Sequence, residues 1–132
     1  MRLVFDTNVI VAGLVAHGLC HELVETHLPE HVAILSTPLW DELLEKLQDK
    51  FGLAPADLPL LELYRRHATW VEPAPPSKPA CRDADDDWVL ATAVTGQAEA
   101  IVTGDADLLE LRNYEGVAIL TPRQLIERLA RG

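Results

Sequence analysis

Short apolar runs alternate with longer amphipathic segments along this chain. Apolar runs bounded by polar residues predict buried strands, and they lie at residues 2–6, 32–35, 100–103 and 117–120. A shorter extended segment is expected at residues 69–72. Because helices usually connect parallel strands, this alternation predicts an α/β domain with a central parallel sheet. With helices on both faces, the predicted fold is a three-layer α/β/α sandwich.

Apolar residues at helical spacing fill the segments between the predicted strands. Residues 9–28 are mostly apolar, and Gly18 predicts a break within that helical segment. Thr37 followed by Pro38 predicts an N-cap and the first turn of a helix over residues 38–50. Further helices are predicted at residues 56–67, 83–98 and 106–112, and from a capping box of Thr121 and Gln124 to about residue 131.

The length of 132 residues fits a single domain over residues 1–132. Prolines interrupt regular structure between residues 73 and 82, and we interpret that segment as a surface connection because neither flank could be a domain alone. No apolar run reaches the roughly 18 residues of a membrane span, and Asp6 stands where a signal peptide would continue an apolar block. We therefore expect a cytoplasmic protein without membrane contact.

The net charge of the chain limits how it could bind nucleic acid. Its 21 acidic and 11 basic residues give a net charge of −10, which argues against binding by charge alone, because such binding relies on Lys and Arg. An enzyme whose acidic groups bind metal cations stays compatible with this balance. Cys20 and Cys81 lack C-x-x-C spacing, which argues against zinc fingers and disulfide frameworks. His17 and His21 have the i, i+4 spacing of a metal pair, but we interpret them as surface or packing residues.

Acidic residues follow two of the predicted strands. Asp6 ends the first strand and Asn8 comes just after it, while Asp105 and Asp107 follow the strand at residues 100–103. In parallel sheets, ligands gather beyond the carboxyl ends of the strands, so these acids are expected at the functional edge. Helix capping is the alternative for Asp6 or Asn8, and it explains one member of the Asp105 and Asp107 pair.

A dense acidic group, Asp83 with Asp85–Asp87, opens the predicted helix at residues 83–98. The helix dipole explains one or two of these carboxylates, but the rest would repel one another unless a cation lies among them. Glu42 lies in a charged helix where a solvated face is the default, although its position at the border of the apolar stripe would let it lean into a cleft. Carboxylate oxygens without paired His or Cys suit Mg²⁺ or Mn²⁺.

Other enzyme signatures are missing from the sequence. It contains no G-x-S-x-G elbow, no P-loop and no G-x-G-x-x-G fingerprint. A phosphatase that uses Asp6 as a covalent nucleophile would need a second Asp two residues later, where this chain has Asn8. The aspartate-based phosphatase is therefore the weakest of the enzyme hypotheses.

Four short segments lie near predicted strand or helix starts and form a pattern together. They are V-F-D-T-N at residues 4–8, S-x-x-L-W-D-E-L-L-E-K-L at 36–47, R-D-A-D-D-D-W-V-L-A-T-A at 82–93 and V-T-G-D-A-D-L-L at 102–109. In this order they resemble the PIN domain family over nearly the whole chain. Within that family, the chain is similar to the toxin-like branch related to VapC ribonucleases of toxin–antitoxin pairs.

The resemblance implies a quartet of acidic ligands around Mg²⁺ or Mn²⁺: Asp6, Glu42, Asp86 and Asp105. The D-x-x-V-L-A-T-A alignment selects Asp86 over its acidic neighbours. Asp107 is the alternative to Asp105 as the fourth ligand. The residues implied in supporting roles, as further carboxylates or as groups that orient ligands and water, are Asn8, Asp83, Thr103 and Asp107.

The implied activity is metal-dependent hydrolysis of RNA phosphodiester bonds by a toxin that a cognate antitoxin holds inactive. Lys78 and Arg82 lie nearest the acidic group in sequence and are the candidates for phosphate contact, with Arg65 and Arg66 as an extension. Family members are usually homodimers, so a homodimer is expected. The alternative hypotheses are a PIN-fold binding or scaffold protein without turnover and the aspartate-based phosphatase.

Overall fold

The computed structural model describes residues 1–16, 18–75 and 84–131 of the chain. The residues singled out in the sequence that lie outside these ranges are His17, Lys78, Cys81, Arg82 and Asp83. Within the described ranges, no single helix is long and apolar enough to cross a membrane.

The strands of the described residues form one mixed, mostly parallel sheet. They are β1 (Arg2–Phe5), β2 (Val32–Leu35), β3 (Thr69–Trp70), β4 (Ala100–Val102), β5 (Asn113–Tyr114) and β6 (Val117–Leu120). The order across the sheet is β3-β2-β1-β4-β6-β5, and every neighbouring pair is parallel except β5 with β6. β1 and β4 are therefore central neighbours, and their carboxyl ends lie side by side.

Helices connect the strands and pack against the sheet. They are α1 (Thr7–Val15), α2 (Leu19–Glu22), α3 (Thr37–Phe51), α4 (Pro59–His67), α5 (Ala84–Thr95), α6 (Ala106–Leu111) and α7 (Pro122–Ala130). A π turn (Leu23–His27) and a 3-10 turn (Leu28–Glu30) follow α2, so the predicted break near Gly18 is present. The predicted three-layer α/β/α sandwich is confirmed.

The hydrophobic core next to the carboxyl ends of β1 and β4 is fully buried. Val4 of β1 and Ile101 of β4 are fully buried, as expected for parallel strands that are covered on both faces. α3 adds the buried leucines Leu39, Leu43 and Leu47, one from each successive turn. Burying each such aliphatic side chain contributes roughly 1.5–3 kcal/mol. The residues that directly follow β1 and β4 are therefore attached to a well-packed core.

α3 begins one residue earlier than predicted, and its N-cap is Ser36 rather than Thr37. The Ser36 side chain makes no cap hydrogen bond, because its hydroxyl lies 2.8 Å from the Thr92 hydroxyl on α5. Thr92 donates to the carbonyl of Trp88 at 2.7 Å, so Ser36 donates to Thr92. This buried pair ties the carboxyl end of β2 to α5.

Other helix boundaries also differ from the predictions. α4 begins at Pro59, because residues 55–57 form a separate 3-10 turn. α5 ends at Thr95, and the next residue, Gly96, passes close to β2: a Cβ added to Gly96 would lie 2.5 Å from Ile34 Cγ2. The predicted capping box at the start of α7 is present, with hydrogen bonds of 2.9 and 3.1 Å. The sequence did not predict the antiparallel strand β5.

Candidate functional site at the carboxyl edge of the sheet

Asp6 is a buried carboxylate at the carboxyl end of β1. It is 3% exposed and forms the N-cap of α1, where it accepts a 3.4 Å hydrogen bond from the Asn8 amide. β1 ends at Phe5, one residue short of the prediction, because Asp6 already turns the chain into the helix. The Thr103 hydroxyl donates to Asp6 Oδ2 at 2.7 Å. The capping alternative is thus present together with a second, buried contact.

Thr103 links the residues that follow the two central strands. Its hydroxyl donates to Asp6 and accepts the backbone amide of Asp105 at 3.0 Å. Asp105 caps α6, with its Oδ1 accepting the amides of Asp107 at 2.8 Å and Leu108 at 3.2 Å. Asp105 is therefore the capping member of the Asp105 and Asp107 pair. The fold joins Asp6 and Asp105 through one threonine.

Glu42 on α3 faces the same edge. Its side chain is 14% exposed, and its Oε1 lies 2.7 Å from the ammonium of Lys46, one helical turn away. Lys46 also donates to the Thr7 hydroxyl and to Oδ1 of Asn8, both at 3.0 Å. Because Thr7 and Asn8 directly follow Asp6, this network places Glu42 near the end of β1 and not on a solvated face.

The surroundings of Glu42 change its acidity. Burial raises the pKa of the Glu42 carboxyl, the hydrogen bond and charge of Lys46 oppose this rise, and the charge of Asp85 adds to it. α5 packs against α3, and Asp85 lies in the first turn of α5. Asp86 and Asp87 in that turn are 7% and 6% exposed. A carboxyl with a perturbed pKa among buried acids is a functional-site candidate.

The oxygen chemistry of this edge suits a hard cation such as Mg²⁺ or Mn²⁺. Among the described residues, however, no three His, Cys, Asp or Glu side chains are arranged to hold a metal ion. The positive charge beside Glu42 comes instead from Lys46. The donor set therefore fits a divalent cation, and the carboxylates would have to draw together to bind it jointly.

A separate apolar groove lies away from these carboxylates. It has a volume of about 790 Å³ and is lined by the π turn after α2, by β2 and by α4. His21 contributes to its wall, with Nδ1 2.8 Å from the Gly13 carbonyl and Nε2 2.5 Å from Glu25. These contacts agree with the predicted packing role of His21. Asp6, like the other predicted metal ligands, is not part of the groove lining.

A model of the PIN domain matches residues 2–107. The chain belongs to the PIN domain family. All four predicted acidic ligands lie inside the matched stretch, which ends before β5, β6 and α7. The family assignment therefore covers the carboxyl edge that the geometry singles out in this PIN domain.

Two solved structures share the fold of this PIN domain. VapBC2 from Rickettsia felis, crystallised bound to a DNA fragment from its promoter, aligns with a TM-score of 0.64 and 13% identity, covering 92% of this chain and 98% of that chain. PAE2754 from Pyrobaculum aerophilum aligns with a TM-score of 0.56 and 17% identity, covering 99% of this chain and 90% of that chain. No curated protein is significantly similar to this chain. At these identities, the structural likeness establishes the fold.

Two residues at the acidic edge of this PIN domain were missed by sequence reasoning: Lys46 and Thr7. The spacing of Glu42 and Lys46 is that of an i, i+4 ion pair on a helix, so the sequence held a signal for Lys46. Thr7 accepts a hydrogen bond from Lys46, 39 positions away in the sequence, and no local sequence pattern predicts such a contact.

Arg65 and Arg66, the further candidates for phosphate contact, lie on α4 and not at the acidic edge. Arg65 and Arg66 are exposed in the last turn of α4, which leads into the amino end of β3. Arg65 pairs with Glu62 on the same helix at 2.5 Å. The described contacts do not connect either arginine to the acidic edge.

Proposed function

We propose that this PIN domain is a divalent-metal-dependent ribonuclease and the toxin of a toxin–antitoxin pair. The observation that carries this proposal is the approach of acids distant in sequence to one edge of the sheet. Thr103 links Asp6 with Asp105, and Lys46 links Glu42 with the two residues after Asp6. Carboxylate oxygens are ligands that Mg²⁺ and Mn²⁺ prefer, and this chemistry supports a divalent cation at the edge.

The residues of this edge have distinct proposed roles. Asp6, Glu42 and Asp86 hold the divalent cation together with Asp105, for which Asp107 stays the alternative. A cation bound there would lower the pKa of a water molecule and stabilise negative charge on the phosphate during hydrolysis. Thr103 keeps the Asp6 carboxylate oriented by its 2.7 Å hydrogen bond, as is usual for a partner of a metal ligand.

Further residues support the same reaction. Asn8 and Asp83 are proposed to assist the ligands, and Lys78 and Arg82 to contact substrate phosphate. Asn8 already lies in the network around Glu42 through its 3.0 Å contact with Lys46. The others lie outside the described residues, so their roles rest on sequence position and on the family resemblance.

The proposal extends to the partners of this chain. The likeness to VapBC2, whose structure contains promoter DNA, supports an antitoxin that binds this chain and keeps it inactive. The proposal also includes a homodimer and a location in the cytoplasm, where an RNA substrate is available.

The test is cleavage of structured and unstructured RNA by the purified protein with Mg²⁺, with Mn²⁺ or with a chelator. We expect cleavage with either metal and none with the chelator. Asp6→Asn should reduce cleavage by more than about 100-fold, the upper end of the loss seen when a residue one step further from a metal is changed. Asn caps a helix as well as Asp does, so the melting temperature should not fall.

The matched control is Asp41→Asn, which removes an exposed carboxylate next to Glu42 and should leave cleavage unchanged. Cleavage in the presence of chelator, or full activity of Asp6→Asn, would contradict the proposal. Inactivity toward every RNA would favour a PIN-fold scaffold protein without turnover. A phosphoaspartate trapped on Asp6 would favour the phosphatase.

A further inference from the structure

Lys46 is surrounded by oxygen atoms at the acidic edge. Its Nζ lies 2.7 Å from Glu42 Oε1, 3.0 Å from Thr7 Oγ1 and 3.0 Å from Asn8 Oδ1. A lysine ammonium has three N–H donors, and these three acceptors match them in number. Lys46 therefore receives from this edge the kind of oxygen shell that a bound cation would receive.

The position of Lys46 distinguishes it from its helical neighbour. The Lys46 side chain is 22% exposed, whereas Lys50, one turn further along α3, is an exposed residue. Thr7 and Asn8 reach Lys46 from a different element, α1. The contact is therefore more than an ion pair between neighbours on one helix, because it also joins α3 to the residues that follow Asp6.

We propose that Lys46 is a tethered counter-cation that holds Glu42 in the metal-free protein and competes with a divalent ion for its carboxylate. This inference rests on the proposed function, which makes Glu42 a metal ligand. A divalent ion at Glu42 repels the ammonium and removes its acceptor. The flexible four-carbon stem of lysine lets the ammonium move aside. Lys46 is thus a positioning residue that sets how much metal is needed to fill the site.

The direct test is calorimetric titration of the full chain with Mn²⁺, comparing the wild type with Lys46→Met. We expect Lys46→Met to bind Mn²⁺ about tenfold more tightly, because the ion no longer displaces one charge-assisted hydrogen bond. Lys46→Arg keeps the charge and should stay near the wild-type affinity. Lys50→Met removes an exposed charge from the same helix and is the matched control, with an unchanged affinity expected.

A second measurement reports on the metal-free protein. Without metal, Lys46→Met should melt roughly 3–6 °C below the wild type, because Glu42 then lies partly buried without its counter-charge. Saturating Mn²⁺ should remove most of this deficit, so the metal-induced rise in melting temperature is larger in Lys46→Met than in the wild type.

The outcomes separate this inference from the proposed function. If the wild type binds Mn²⁺ and Lys46→Met binds it equally or more weakly, the competition is overturned while the metal site stands. If neither protein binds Mn²⁺, both the competition and the proposed metal site are overturned. Binding by Lys46→Met alone would support the competition in its strongest form.

Discussion

The two ends of the sheet handle charge in opposite ways. At the amino end, the Arg2 guanidinium donates to the Gly96 carbonyl at 2.7 and 3.2 Å, and the Arg2 amide donates to Glu99 at 3.2 Å. At the carboxyl end, acids that include Asp6 and Asp105 gather around a short hydrogen-bond network. One end pairs a basic side chain with oxygen acceptors, while the other gathers several carboxylates around one threonine and one lysine. Repulsion among carboxylates opposes stability and suits the binding of a cation.

The largest effect is expected at the carboxyl end. Thr103→Val keeps the shape of the side chain but removes the donor to Asp6 and the acceptor for the Asp105 amide. Unfolding free energy should fall by roughly 2–4 kcal/mol, because the buried Asp6 carboxylate and the partly buried Asp105 amide each lose a partner. RNA cleavage should fall roughly 10–100-fold. Chemical denaturation and cleavage rates measure the two effects.

The control for this change is Thr95→Val, at an exposed position of α5. It should alter unfolding free energy by no more than about 0.5 kcal/mol. Wild-type cleavage by Thr103→Val would show that the threonine bridge does not position the acids, and the contrast between the two ends of the sheet would lose its main support.

An intermediate effect is expected at the amino end. A Cβ at position 96 would lie 2.5 Å from Ile34 Cγ2, so Gly96→Ala should lower unfolding free energy by about 1–3 kcal/mol through overpacking. RNA cleavage under conditions where the variant is folded should match the wild type. Gly18→Ala, whose added Cβ meets nothing within 4 Å, should leave stability nearly unchanged. A loss of specific activity in Gly96→Ala would mean that the two ends are coupled.

The smallest effect is expected for Arg2→Met. It removes the guanidinium contacts to the Gly96 carbonyl and keeps most of the apolar stem, so unfolding free energy should fall by about 1 kcal/mol. Arg123→Met, at an exposed position of α7, serves as the control. Urea titration can resolve this difference in unfolding free energy. If Arg2→Met lowers the unfolding free energy more than Gly96→Ala does, the expected ranking of the two variants is wrong.

The strands show how far local sequence predicts the fold. The strands predicted at residues 32–35 and 117–120 are observed with those bounds, because a doubly covered parallel strand is apolar at successive positions. β5 was missed because its hairpin turn uses Glu115 and Gly116, both at positive φ. Glutamate is uncommon in such a turn, so this turn carries a weak sequence signal.

The positions of the acids in the fold were predictable where topology alone decides them. Asp6 and Asp105 follow parallel strands, and the edge at which such strands end is fixed by the fold. Long-range side-chain contacts were not predictable. Ser36 meets Thr92 across 56 positions, which is why its hydroxyl is unavailable as a helix cap. Lys46 meets Thr7 and Asn8 across 39 and 38 positions, and its role at the edge appears only once α1 and α3 are packed.

The bridge between the two central strands also has a consequence for synthesis. Thr103 comes 97 residues after Asp6, and a ribosome adds about 5–20 residues per second. Roughly 5–20 s therefore pass between translation of the first acid and translation of the threonine that orients it. During that interval, the nascent chain lacks the threonine that orients the Asp6 carboxylate, so the acidic edge can be completed only after most of the chain has been translated.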